Sequence, residues 1–141
     1  MPGPEKIVLL VRNSLIALHQ AIQTGNFTVL RDLGAPGFRE ANSAAKLSAS
    51  FADLSSKKIN LGATAVLVPE LTQPPSIDEG KGMLHLQGRF PGDEMQIDFE
   101  LLFQAIDGQW RLFGLSVQPS AGSHPPIASP APGSTALKET E

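Results

Sequence analysis

The 141-residue chain has three histidines and 14 carboxylates but no cysteine and no tyrosine, so acid–base or nucleophilic chemistry must come from few residue types. Arg12 and His19 lie seven positions apart, two helical turns, which places a base and a guanidinium on neighbouring parts of one helix face. His85, Glu100 and Asp98 fall in alternating segments and resemble an acid–base or metal cluster once strands pair. A lone histidine with carboxylates is a poor zinc site, and a cross-strand His–Glu pair is an ordinary stabilising contact. His124 lies in a proline-rich terminus. Ser14, Ser43 and Ser116 lack the Gly-x-Ser-x-Gly context of a nucleophile elbow. Gly80-Lys81-Gly82 lacks phosphate-loop spacing and reads as the entry to a strand. No catalytic residue, metal-ligand set or cofactor is assigned.

The elements that would position these side chains divide the chain in two. Pro4 and Glu5 suit a first helical turn, and Val8, Val11, Leu15, Leu18 and Ile22 recur at steps of three and four. Thr24-Gly25-Asn26 ends that helix. Asn26 caps a second, short helix carrying Phe27, Leu30 and Leu33, which Gly34-Ala35-Pro36-Gly37 stops. A third helix runs from Asn42 or Ser43 to Ser56 with Ala45, Leu47, Phe51, Ala52 and Leu54 on its buried side.

Beyond Lys57-Lys58 the period changes to two. Strands are expected at 60–68, 82–90, 94–106 and 109–118, with a loop at 69–80 around Pro74-Pro75. Asp107-Gly108 is a two-residue type I′ turn signal, and residues 91–94 read as a four-residue hairpin loop. Together these turns fix register. The second pairs Ala105 with Trp110, Phe103 with Leu112, Leu101 with Gly114 and Phe99 with Ser116. The first pairs Phe90 with Met95, Gly88 with Ile97 and Leu86 with Phe99. Both place Leu84, Leu86, Phe90, Met95, Ile97, Phe99, Leu101, Phe103, Trp110 and Leu112 on one face for the helices to cover. The opposite face carries charged pairs beside an apolar strip of Leu102, Ile106, Phe113, Leu115 and Val117, the expected dimer interface, with cover by the loop 69–80 or by the C-terminal tail as the alternative.

A net charge of −3 gives no general attraction to nucleic acid or an anionic membrane. No apolar run approaches the roughly 20 residues of a bilayer span. Residues 119–141 hold five of the 12 prolines and read as a disordered tail behind a single domain at 1–118. The first residues do not form a secretory signal.

Three helices before an antiparallel sheet, the Gly25-Asn26-Phe27 turn with Leu30, Leu33 and Pro36 behind it, and Asp107-Gly108-Gln109-Trp110-Arg111-Leu112 opening the last strand resemble the nuclear transport factor 2-like superfamily. That group is also called SnoaL-like or cystatin-like. The resemblance spans residues 4–118. It implies an α+β cone: three N-terminal helices on a curved, mainly antiparallel sheet of four or more strands, with an apolar pocket and frequent homodimers. The superfamily holds isomerases, dehydratases, hydrolases and members without known activity, so fold does not select function. Similar small bacterial proteins follow a signal peptide, which implies a periplasmic or exported protein. Pocket candidates are Arg12, His19, Phe99, Trp110 and Ser116, with Arg39 and Asn42 as further polar residues supplied by the helices. The inner face carries no ionisable group on the long strands. The expected function is therefore a non-enzymatic homodimeric domain holding a small apolar ligand. The alternative is a small-molecule isomerase or dehydratase whose base is His19.

Overall fold

The computed structural model describes residues 1–57, 61–92 and 95–121. Helix α1 spans Pro4–Thr24 with proline in its first turn, and it ends where Gly25 turns left-handed (φ 72°) and its N–H bonds the Ala21 carbonyl. Its buried side is rotated slightly from the expected stripe. Ile7, Ser14 and Ala21 join Val11, Leu15 and Leu18 inside, while Val8 and Ile22 are half-buried flanks. Ser14 tolerates burial because its hydroxyl donates to the Leu10 carbonyl at 2.9 Å.

The remaining helices are short. α2 (Thr28–Asp32) begins after Asn26, whose Oδ1 accepts from the Thr28 N–H at 3.0 Å. The second helix stops ahead of Gly34–Gly37 as expected, but the same stretch also starts a further helix, α3 (Pro36–Ala41), because Pro36 sits in the first turn, where a missing N–H costs nothing. The expected helix to Ser56 is two pieces, α4 (Ala44–Ser50) and α5 (Ala52–Ser56). Ser43 caps α4 by accepting from the Lys46 N–H at 3.1 Å. The break falls at Phe51 (φ −107°, ψ 21°), whose ring stacks on Phe27 at 6.4 Å.

The strand expected at 60–68 does not form over its described part. Gly62–Ala65 is a 3-10 turn in which the Thr64 N–H and hydroxyl both donate to the Leu61 carbonyl; Asn60 lies outside the described residues. Conversely, the expected loop at 69–80 contributes two strands of two residues each, β1 (Glu70–Leu71) and β2 (Ser76–Ile77). Both lie antiparallel along one edge of β3 (Leu84–Phe90). With β4 (Met95–Ile106) and β5 (Gln109–Ala121) they make a five-stranded antiparallel sheet in the order β1-β3-β4-β5, β2 also pairing with β3. The chain is thus α+β, helices first and sheet second. β5 runs past the expected boundary at 118, and the rest of the expected tail lies outside the described residues.

Both hairpins correct the expected register. At the first, Phe90 pairs with Ile97 and Leu86 with Leu101, a shift of two residues that leaves every side chain on its expected face. Gly92 permits the longer connection, since a Cβ there would overlap the Met95 carbonyl. At the second, Asp107 (φ 52°) and Gly108 (φ 79°) adopt the expected turn, and Ile106–Gln109 through Phe103–Leu112 pair as read from sequence. A bulge then places Leu102 opposite Gly114, so Phe113 is an extra residue. Every later pair is displaced by one: Leu101 faces Leu115, Glu100 faces Ser116, and Phe99 faces Val117. Leu115 and Val117 therefore turn inward, while Gly114 and Ser116 turn outward. Met95, expected inside, is 37% exposed.

Candidate functional site

The space between helices and sheet, where the cone's pocket was expected, is filled by side chains. Phe90 and Phe99 pack with ring centres 5.7 Å apart, and Leu101, Phe103, Leu112 and Val117 close the rest against α1. Phe99 is thus a core residue at 3% exposure. Arg12 is committed to structure: its Nη2 donates to the Leu67 carbonyl at 2.8 Å, fastening α1 to the segment after the 3-10 turn. Trp110 is half-buried at a small cleft of about 110 Å³ with Leu10, Asn13 and Leu33. Ser116 lies on the outer face opposite Glu100, where the bulge puts it. Arg39 donates to the Gly34 carbonyl at 2.9 Å and Asn42 to the Phe38 carbonyl at 3.0 Å, so both brace α3. His19 is half-buried on the flank of α1 and borders none of the clefts described below. The five expected pocket residues are not brought together.

The His85 cluster also separates. Register places His85 opposite Leu102, and its Nε2 reaches diagonally to Glu100 Oε2 at 2.7 Å. Asp98 is held elsewhere, accepting from Gln96 Nε2 at 3.0 Å, opposite Arg89 in the ladder. Arg89 itself approaches Glu70 at 3.6 Å. Among the described residues no three His, Cys, Asp or Glu side chains converge as a metal site.

The expected dimer strip is reduced. Val117 is 5% exposed in the core and Leu115 packs against that core, both through the one-residue displacement at Phe113. Leu102, Ile106 and Phe113 stay on the outer face, half-buried. Phe113 lies against Gly37 of α3, where an added Cβ would meet the ring at 3.0 Å. Leu102 and Phe113 also floor a cleft of about 410 Å³ walled by Asp78, Lys81 and Met83.

Two other clefts stand out chemically. A groove of about 440 Å³ lies where the start of α1 meets the segment around β1. Met1, Pro2 and Pro4 form one lip, Ile7, Val8 and Val11 the floor, and Pro69, Leu71 and Pro75 the other lip; none of these side chains carries a polar group. Its construction is local. Val8 is left half-covered by the rotation of the α1 stripe, and prolines keep β1 and β2 to two residues each, so the sheet edge does not close over the helix. Sequence reasoning missed it because its walls come from two distant segments, although the prolines at 2, 4, 69 and 75 flanking an apolar helix start were the available signal.

The second cleft, about 460 Å³, runs between the edge of β5 and the α4–α5 pair. Leu115 to Pro119 form one wall, with Ser50, Phe51, Asp53, Leu54 and Lys57 opposite. No helix among the described residues is long and apolar enough to cross a membrane. Comparison with family models, curated proteins and solved structures gives no match for this chain.

Proposed function

We propose that the protein is a non-enzymatic binding domain of the nuclear transport factor 2-like kind that takes a small apolar ligand in the groove between α1 and Pro69–Pro75. The observation carrying this reading is a groove whose lining side chains are all apolar and whose size falls in the range of small-molecule sites, about 300–1,000 Å³. Burial of each ligand methylene there gains roughly 0.8 kcal/mol before the cost of association, so an alkyl chain or a flat hydrocarbon fits the chemistry and an ion does not. The cone fold is supported by the order of elements and by the Asp107-Gly108 turn ahead of Trp110. The isomerase or dehydratase alternative needs a base within a cavity. Its candidate, His19, is half-buried on the flank of α1 and does not line the apolar groove, so that groove offers such chemistry no base. Association of two copies through the outer sheet face now rests on Leu102, Ile106 and Phe113.

Titration with a fluorescent naphthalene probe tests the ligand site. Saturable binding is expected, weakened at least tenfold by Val8→Glu and unchanged by Phe113→Glu. Absence of saturation, or equal binding by Val8→Glu, overturns the reading. Light scattering on the same samples reads self-association: a dimer mass that Phe113→Glu reduces supports the outer-face contact, and a monomer at tens of micromolar removes it.

A further inference from the structure

The cleft of about 410 Å³ on the outer sheet face holds two opposite charges beside an apolar floor. Ladder register builds the floor. Ser76 lies opposite His85, His85 opposite Leu102, and Leu102 opposite Gly114, so one row crosses β2, β3, β4 and β5. Gly114 brings no side chain to its end of the row. The extra residue Phe113 supplies a ring there instead, and the cleft takes it as floor together with Leu102. Glu100 holds His85 in the row at 2.7 Å.

The wall is the turn from β2 to β3, which is tied closed from within. The Asp78 N–H donates to the Met83 carbonyl at 2.8 Å, and the Gly82 N–H donates back to the Asp78 carbonyl. Gly82 takes the left-handed conformation of this turn (φ 69°). Asp78 Oδ1 accepts from the Gly80 N–H at 2.8 Å, an Asx turn that fixes the carboxylate. Asp78 and Lys81 both line the cleft, three residues apart, yet among the described residues no ion pair joins one to the other.

A carboxylate and an ammonium kept apart beside an apolar floor complement a zwitterion that carries an apolar side chain. A simple anion is repelled by Asp78 and a simple cation by Lys81, while an uncharged hydrocarbon leaves both groups unused. A molecule with an ammonium and a carboxylate on one carbon engages both. Its ammonium meets the Asp78 carboxylate and its carboxylate the Lys81 ammonium, each a charge-assisted contact. Its side chain then covers Met83, Leu102 and the Phe113 ring, which the sheet leaves half-buried. We propose that this cleft binds a free α-amino acid with an apolar side chain. Its volume lies in the range of small-molecule sites, about 300–1,000 Å³. The site is separate from the apolar groove on α1, and one chain supplies every group in it. Two copies packed through Leu102 and Phe113 would cover it, so the site belongs to the monomer.

Titration of the full chain with L-phenylalanine, followed by amide NMR at a concentration where light scattering reads monomer, tests the proposal. Saturable shifts are expected at Gly80, Lys81, Gly82 and His85. Phenylpropanoate and phenylethylamine, each lacking one of the two charges, are expected to bind at least tenfold more weakly. Asp78→Asn keeps an acceptor for the Gly80 N–H and removes the charge, and Lys81→Gln removes the other. Each is expected to weaken L-phenylalanine at least tenfold. The losses are selective: Asp78→Asn does not weaken phenylpropanoate, and Lys81→Gln does not weaken phenylethylamine. Both positions are exposed in the turn, and unchanged amide shifts in α1 and β4 confirm that the fold is kept. Val8→Glu, aimed at the apolar groove, leaves the amino-acid shifts unchanged, so the two sites fail independently. Absence of saturation, shifts confined to residues of the α1 groove, or single-charge compounds that bind as tightly as L-phenylalanine overturn the proposal.

Discussion

The two hairpins of the sheet differ in how they absorb extra chain. Between β3 and β4 the register moves by two residues, and because side chains alternate with period two, nothing changes face. Between β4 and β5 a single extra residue at Phe113 moves everything after it by one, exchanging inside for outside along half the last strand. An even slip is silent in the burial pattern. An odd one decides which residues belong to the core.

The strongest way to sharpen this contrast is to place one charged side chain at adjacent positions beyond the bulge. Val117→Lys puts an ammonium in the core and is expected to cost on the order of 4 kcal/mol in urea unfolding. Ser116→Lys should shift stability by less than about 0.5 kcal/mol, because that side chain is exposed opposite Glu100. An unbulged ladder would reverse the order. Deleting Phe113 attacks the bulge directly. Leu112 then adjoins Gly114, every later residue keeps its present face, and the ring's packing on Gly37 and over the cleft beside Leu102 is lost. A cooperative thermal transition lowered by roughly 2 kcal/mol is expected, and loss of the folded state would show that the bulge itself is required. A smaller destabilisation than that of the deletion belongs to the turn the two strands share. Gly108→Val forces a β-branched residue to φ 79° and should lower stability by about 1–2 kcal/mol without altering either register.

The same contrast explains what could be read from sequence. Asp107-Gly108 was legible because positive φ at two successive residues restricts residue type sharply. The bulge has no such restriction, yet a trace existed: an unbroken ladder put Gly114 and Ser116 inside and Leu115 and Val117 outside, an inversion of hydropathy along one strand. Long α1 was visible in its period. The division at Phe51 was not, because Leu47, Phe51 and Leu54 serve one continuous helix or two short ones equally well. β1 and β2 escaped because two-residue strands are defined by the neighbour they pair with rather than by their own composition. Of the candidate site, the single residues were identifiable but their company was not. Arg12 found a carbonyl at Leu67, and His85 kept Glu100 while losing Asp98.

The clasp between Ala35 and Leu112 has a consequence for how the chain comes to be folded. The turn before α3 is tied to the strand nearest the C-terminal end, through the Ala35 N–H and the bridge of Gly34 to Leu112. During synthesis α1, α2 and α3 emerge long before their anchor exists, and short helices such as α2 and α3 hold little structure alone. The apolar side of α1 waits uncovered over the same interval. Contacts joining the two ends of a chain are also the slow ones to form. The helical half leaves the ribosome before the sheet half and is among the last parts to be secured.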